Sequence, residues 1–179
     1  MNLQGVGIGR GLAIGPVLRM PDPLPEPEDS ARSAAGDVEK VRVAGALAAA
    51  AADIRLRGER AGGAAKDVLE AQAFMAEDPT LRADVDTRID NGKTAERAVF
   101  EAFAAFRDLL LSMGGYMGER ATDLNDVSQR VVAHLQGVSA PGVPTPDYPF
   151  VLIARDLAPA DTALLDLEKV LALVTSDGG

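Results

Sequence analysis

Residues 94–117 read TAERAVFEAFAAFRDLLLSMGGYM, which is the most regular helical pattern in the chain. Large apolar side chains recur there at steps of three or four residues, and this spacing places them on one face of an α-helix. Thr94 stands at the start, where its hydroxyl can cap the first turn. We therefore predict an amphipathic helix whose packing stripe consists of Val99, Phe103, Phe106, Leu110, Met113 and Met117.

Three further periodic segments surround this helix. The first ends at residues 62–63, the second occupies residues 64–91 and the third occupies residues 124–137. In the second, Asp78 can cap a new turn and Pro79 can take its first position, so we expect this helix to kink or restart there. The predicted stripe of the first segment consists of Val41, Ala44, Leu47, Ala51 and Ile54. Short loops favour antiparallel neighbours, so the pattern predicts a four-helix unit.

Two proline-rich segments frame the helical unit. Proline removes a backbone donor and fixes φ, so such segments are typical of extended linkers. We predict linkers at residues 21–36 and 139–149, a helical domain at residues 37–138, and two pieces of a second domain at residues 1–20 and 150–179. The prolines of the linkers are Pro21, Pro23, Pro25 and Pro27 in the first and Pro141, Pro144, Pro146 and Pro149 in the second.

The outer pieces contain short β-branched segments. We predict two strands at residues 3–8 and 12–20, joined by a glycine-rich turn, then strands at residues 150–154 and 170–175 with a short helix from Pro159 between them. A strand–helix–strand order is typical of an α/β domain. The chain ends on a turn that follows an apolar strand, so we expect this α/β domain to be incomplete within the 179 residues.

Composition excludes several classes of function. The chain is 47% hydrophobic and carries a net charge of −9, which supports a folded core but disfavours nucleic acid and anionic membranes. An acidic protein of this kind is better suited to a basic protein partner. It has no cysteine, hence no disulfide and no Cys-based metal site. We also predict no metal site. Because neither a long apolar run nor a signal-peptide pattern is present, we predict no membrane insertion and a cytoplasmic location.

Four stretches resemble one known family. They are DLAPADTA at residues 156–163, VLALVT at residues 170–175, EAQAFMAEDP at residues 70–79 and ERATDLND at residues 119–126. Together they resemble the N-terminal part of Enzyme I, the phosphoenolpyruvate–protein phosphotransferase of the bacterial sugar phosphotransferase system. The stretches follow one another in the family's order, from one end of the chain to the other.

The resemblance implies a fold and a function. In the family, a helical insert binds the small phosphocarrier protein HPr and lies within a swivelling phosphohistidine α/β domain. A histidine of that domain takes phosphate from phosphoenolpyruvate and passes it to HPr. The family's histidine follows the Gly-Gly turn, so we expect it beyond Gly179. We therefore expect this chain to bind HPr, to contain no catalytic residue and to be inactive by itself.

The resemblance also bears on cofactors and assembly. The phosphoenolpyruvate and Mg²⁺ sites of the family belong to a C-terminal barrel, so we expect no cofactor in this chain and Mg²⁺ in its full-length parent. Dimerisation resides in the same barrel. We therefore expect a monomer for this chain and a homodimer for the parent.

Six residues match the partner-binding surface of the family. Exposed Phe and Met side chains beside the carboxylates of Glu70, Glu77 and Asp78 would give apolar anchors ringed by negative charge, which suits a basic carrier. The alternative is that Phe74 and Met75 belong to the core of a helical hairpin and that the carboxylates form a solvated face. The residues are Glu70, Phe74, Met75, Leu81 and Leu109, with Arg120 nearby.

Other polar residues have simpler interpretations. His134 is the one histidine of the chain and lies near the end of the last predicted helix, where a cation is favoured. No motif surrounds it, so we interpret it as structural. Asp156 and Asp161 suit the N-terminus of the helix at Pro159 or its approach. We assign no chemistry to Asp177.

Two alternatives remain open at this point. A step pattern of four and three can mark a coiled-coil seam, so the chain could be a helical scaffold protein with no phosphotransfer ancestry. It could also belong to a related phosphoenolpyruvate enzyme with a swivelling phosphohistidine domain. Those enzymes lack a helical insert of this kind, so the insert favours Enzyme I.

Overall fold

A computed structural model describes residues 6–9, 11–157, 161–162 and 164–176. The side chains at positions 116, 117, 119, 120 and 122 are outside this description. The described residues form a helical unit and a small β-sheet. The helices are α1 (Gly36–Ala61), α2 (Gly63–Ala76), α3 (Pro79–Asp90), α4 (Ala95–Met113) and α5 (Gly115–Gln136), and the strands are β1 (Val17–Arg19), β2 (Phe150–Ala154) and β3 (Val170–Thr175).

Side-chain caps and glycines divide the helical unit. Asp78 accepts hydrogen bonds from the backbone N–H groups of Thr80 and Leu81 at 2.7 and 3.1 Å, and so starts α3. The predicted second helix therefore restarts at Pro79 as α3, and the helical unit has five segments within the described residues. Thr94 caps α4 as predicted, because its hydroxyl accepts the N–H of Arg97 at 3.3 Å.

The prediction that α4 continues to Met117 is wrong. Gly114 and Gly115 have φ of 66° and 53°, a left-handed conformation that glycine adopts readily and that ends the helix. The chain then turns into α5, which contains position 117. Within α4, Val99 and Phe103 are buried as predicted, whereas Met113 is 60% exposed.

The core lies between the helices. Leu124, Val127 and Val131 of α5 are fully buried and pack in one cluster with the apolar stripe of α4. The predicted stripe of α1 is wrong at its first two positions: Val41 is 72% exposed and Ala44 is also exposed, whereas Val43 is fully buried. Alanines supply much of this core, and their small side chains allow the helices to approach closely.

The sheet is parallel throughout, in the order β1–β2–β3. Val17 pairs with Val151, and Leu152 pairs with Leu173. Parallel neighbours require a long crossover, and the helical unit supplies the one between β1 and β2. β2 and β3 lie at the predicted positions, and the α/β arrangement with a helical insert confirms the predicted fold class.

The predicted N-terminal strands are only partly present. Residues 3–5 of the first lie outside the described residues, and residues 6–8 form no strand. The second is limited to β1, which pairs with β2 rather than with a preceding strand. Position 10, in the predicted glycine-rich turn, is outside the described residues. Position 159, where the predicted short helix begins, is also outside them.

Candidate partner-binding surface

A cluster of charged and aromatic side chains lies on the exposed side of α1 and α2. Glu70, Phe74 and Glu77 follow each other at steps of four and three, which brings them to one side of α2 and its C-terminus. Phe74 is 60% exposed, which is unusual for so large an apolar side chain. Arg55 reaches this group from α1. We call these four residues the Phe74 surface.

Arg55 connects the members of the Phe74 surface. Its two terminal nitrogens donate to the two carboxylate oxygens of Glu77, each at 2.7 Å, and its Nε donates to Glu70 at 3.1 Å. Its guanidinium carbon lies 5.5 Å from the centroid of the Phe74 ring, within the range of a cation–π interaction. The hydrogen bond from Arg55 lowers the pKa of Glu77, and the same bond raises the pKa of Arg55. Arg55 and Glu77 are therefore both charged at neutral pH.

The predicted partner-binding residues occupy different environments. Phe74 and Leu109, which is 53% exposed on α4, present apolar surface to solvent. Met75 is partly buried and packs against the core. Leu81 is only 4% exposed, because it follows the Asp78 cap and points into the helical core. We therefore remove Leu81 from the candidate surface and assign it to packing.

Two further expectations concern acidic and basic neighbours. The prediction that Asp78 belongs to the acidic ring around Phe74 is wrong, because its carboxylate accepts hydrogen bonds from the N-terminus of α3. Arg120 lies in α5, and its side chain is outside the described residues. The structure thus brings together Glu70, Phe74 and Glu77.

Sequence reasoning missed Arg55. Its partners lie 15 and 22 positions further along the chain, on the other side of the turn between α1 and α2. The available signal was the predicted antiparallel hairpin, which puts the end of α1 beside the start of α2. It does not specify which of the several arginines of α1 faces Glu77.

A second charged cluster connects the helical unit with the residues after β2. Arg130 of α5 is 1% exposed and donates to Asp126 at 2.9 Å and to Asp53 of α1 at 3.4 Å. Asp161 is 3% exposed, and its Oδ1 lies 3.7 Å from Arg130 and 3.9 Å from Arg57. This Oδ1 accepts no hydrogen bond within the described part of the chain. Burial raises the pKa of Asp161 from 3.8 to about 6, Asp126 adds to the rise, and the two arginines oppose it.

A cavity of about 270 Å³ lies beside this second cluster. It is at the carboxyl ends of β1 and β2, the edge of a parallel sheet where ligands commonly bind. Its wall includes Arg19, Met20, Asp126, Gln129, Arg155 and Asp161. Among the described residues, no group of three or more acidic or histidine side chains is placed to hold a metal ion.

The remaining candidates have structural surroundings. His134 is exposed in the last turn of α5, where a cation would be favoured. Asp156 accepts the N–H of Leu157 at 2.9 Å and is exposed. Asp177 lies outside the described residues. No helix in the described part of the chain is long and apolar enough to cross a membrane.

Comparison with known proteins identifies the family. Residues 4–120 match the model of the N-terminal domain of PEP-utilising enzymes. The chain therefore belongs to the family of phosphoenolpyruvate-utilising enzymes, of which it contains the N-terminal part.

Individual relatives narrow this assignment. A phosphoenolpyruvate-protein phosphotransferase of Streptomyces coelicolor is 55% identical over 99% of this chain, which spans 32% of that relative's length. A solution structure of Enzyme I aligns with a TM-score of 0.73 and 28% identity, covering 90% of this chain and 68% of that one. An N-terminal domain of Enzyme I of the nitrogen branch aligns with a TM-score of 0.67 and 26% identity, covering 93% of this chain and 71% of that one. The chain is thus similar over nearly its whole length to phosphoenolpyruvate–protein phosphotransferases and spans about a third of their length, which confirms the resemblance found in the sequence.

Proposed function

We propose that this chain binds the phosphocarrier protein HPr through the Phe74 surface. In the parent protein, phosphate passes from phosphoenolpyruvate to a histidine that follows Gly179, and from there to HPr for sugar uptake. The chain supplies the docking step, and Mg²⁺ serves the chemistry of the parent. The observation that carries the proposal is an exposed aromatic ring, Phe74, beside an arginine that bonds to Glu70 and Glu77, on a net acidic chain.

The charge and the apolar ring have separate effects on binding. The chain carries a net charge of −9, so a basic partner would be steered toward it at a rate that falls with salt. Phe74 then supplies a large apolar contact, the kind of residue that dominates binding energy once it is buried. Leu109, 53% exposed on α4, is the second apolar residue that we include.

The proposal also covers assembly and location. We expect the isolated chain to be monomeric, the parent to dimerise through a part outside these 179 residues, and both to act in the cytoplasm. Membership of the family removes the alternative of an unrelated helical scaffold.

The test is to measure the affinity for HPr of the same organism after replacing Phe74 with alanine. A buried aromatic anchor contributes about 2 kcal/mol or more, so we expect binding to weaken by about 30-fold. Val41→Ala is the matched control, because Val41 is 72% exposed on α1 but lies 14 residues before Arg55, or about 20 Å along the helix. Equal affinities for the wild-type chain and Phe74→Ala, measured by calorimetry, would refute this surface.

A further inference from the structure

Arg55 occupies the groups that a cationic partner would contact on the Phe74 surface. An aromatic face and two carboxylates are typical binding groups for a lysine or arginine of another protein. Here the guanidinium lies 5.5 Å from the Phe74 ring centroid, 2.7 Å from both carboxylate oxygens of Glu77 and 3.1 Å from Glu70. In the free chain, one internal residue therefore holds all three groups.

These contacts are not needed to hold α1 against α2. The side chains of Arg55, Glu70 and Glu77 are 33, 40 and 43% exposed, and ion pairs this exposed contribute little to stability. The two helices are joined by the core instead, where Leu69 is fully buried. A Cβ on Gly58 would lie 3.3 Å from the Cβ of Leu69, so the backbones already approach closely. Arg55 can therefore leave Glu77 without separating the helices.

We propose that Arg55 is an internal competitor, which a basic partner protein must displace from Phe74 and Glu77 in order to bind. This inference rests on the proposed function. In the complex, a cationic side chain of the partner takes the place of the Arg55 guanidinium, which turns toward solvent. Affinity is thereby reduced at the site of contact, while the net charge of −9 still attracts a basic partner from a distance. A carrier protein that must leave after each transfer benefits from such a surface, since release is mainly set by local contacts.

Arg55→Gln tests this inference. The substitution changes the charge of the Arg55, Glu70 and Glu77 group from −1 to −2 and leaves both carboxylates open. We expect HPr to bind about two- to fivefold more tightly at low salt, the range that an exposed ion pair allows. The affinity should also fall more steeply with salt than that of the wild-type chain.

Glu77→Gln in both backgrounds makes the test specific. In the wild-type chain the charge of Glu77 is already balanced by its ion pair with Arg55. Glu77→Gln should therefore change HPr affinity by less than about twofold. In the Arg55→Gln background Glu77 is free, and its replacement should remove most of the gain. A merely nonspecific effect of net charge would give the same change in both backgrounds.

Lys93→Gln is the matched charge control. Lys93 is half-buried and lies just beyond the C-terminal end of α3, whose 12 residues separate it by about 18 Å from Asp78. It pairs with Asp29 and Glu101 rather than with any member of the Phe74 surface. We expect Lys93→Gln to leave HPr affinity within about twofold of the wild-type value. Arg55→Lys, which keeps the charge but loses the two-pronged contact, should bind with intermediate affinity and serves if Arg55→Gln loses its helical circular dichroism.

The outcomes separate the inference from the proposed function. Tighter binding of HPr by Arg55→Gln, or binding by this variant alone, supports the inference that Arg55 is an internal competitor. If the wild-type chain binds HPr and Arg55→Gln binds it equally or more weakly, the inference about Arg55 is overturned and the docking function stays in place. A lack of HPr binding by both chains overturns both.

Discussion

Replacing Asp161 with asparagine is expected to raise the unfolding free energy, relative to that of the wild-type chain, more at neutral pH than at acidic pH. Asp161 is buried, and its pKa is raised from 3.8 to about 6 because burial disfavours the carboxylate. The folded chain therefore holds this proton more tightly than the unfolded chain. Between the two pKa values the folded state binds more protons, so the unfolding free energy falls as the pH rises through this window.

The size of the effect follows from the same values. The difference between a pKa of 3.8 and one of about 6 corresponds to about 3 kcal/mol of unfolding free energy. Asparagine cannot ionise and so avoids this loss. Arg130 keeps its contacts to Asp126 at 2.9 Å and to Asp53 at 3.4 Å, so its charge is not left alone. The unfolding free energy of Asp161→Asn minus that of the wild-type chain should therefore rise by up to about 3 kcal/mol between about pH 4 and pH 7.5.

Urea unfolding of both chains across this pH range provides the assay, and a carbon-13 NMR titration of the Asp161 carboxyl group gives the midpoint directly. Asp156→Asn is the control, because Asp156 is exposed and lies at the same cavity. The reasoning is refuted if the difference between Asp161→Asn and the wild-type chain stays flat or falls with rising pH. That result would mean that the arginines outweigh burial and that Asp161 is a net stabilising ion pair.

Three further predictions concern packing, capping and chemistry. Phe103→Ala should lower the unfolding free energy by about 3–5 kcal/mol in urea unfolding, because Phe103 is 2% exposed in the helical core; a loss below about 1 kcal/mol would contradict that placement. Asp78→Ala should lower it by about 1 kcal/mol through loss of the α3 cap, and Asp84→Ala on the same helix is the control, since Asp84 caps nothing. Incubation with phospho-HPr should leave the intact mass of the chain unchanged, and a gain of about 80 Da, one phosphoryl group, would show a phosphoacceptor within these 179 residues.

The helices were predictable because their signals are local. Asp78, Pro79 and Thr94 each act within one turn of a helix, so the sequence alone locates the starts of α3 and α4. The end of α4 was missed because apolar residues continue past Gly114-Gly115, and a periodic pattern does not reveal a change of direction. In α1, valines occur at both 41 and 43 among many alanines, so the pattern did not decide which one is buried.

The sheet and the candidate surface depend on contacts between distant residues. Val17 pairs with Val151 across the whole helical unit, and no local pattern indicates that partner. Phe74 and Leu81 are both large apolar residues near the α2–α3 turn, yet one is 60% exposed and the other 4%. The difference arises from how α3 packs after the Asp78 cap. Arg55 could be assigned only once the register of α1 against α2 was known.

The most direct measurement is an NMR titration of the nitrogen-15-labelled chain with unlabelled HPr, at low and at high salt. Docking through the Phe74 surface predicts saturable shifts of the backbone amides around Phe74 and Glu77 in α2, weaker at high salt. Shifts confined to other elements, or no shifts from a chain whose circular dichroism confirms its helices, would contradict docking at this surface.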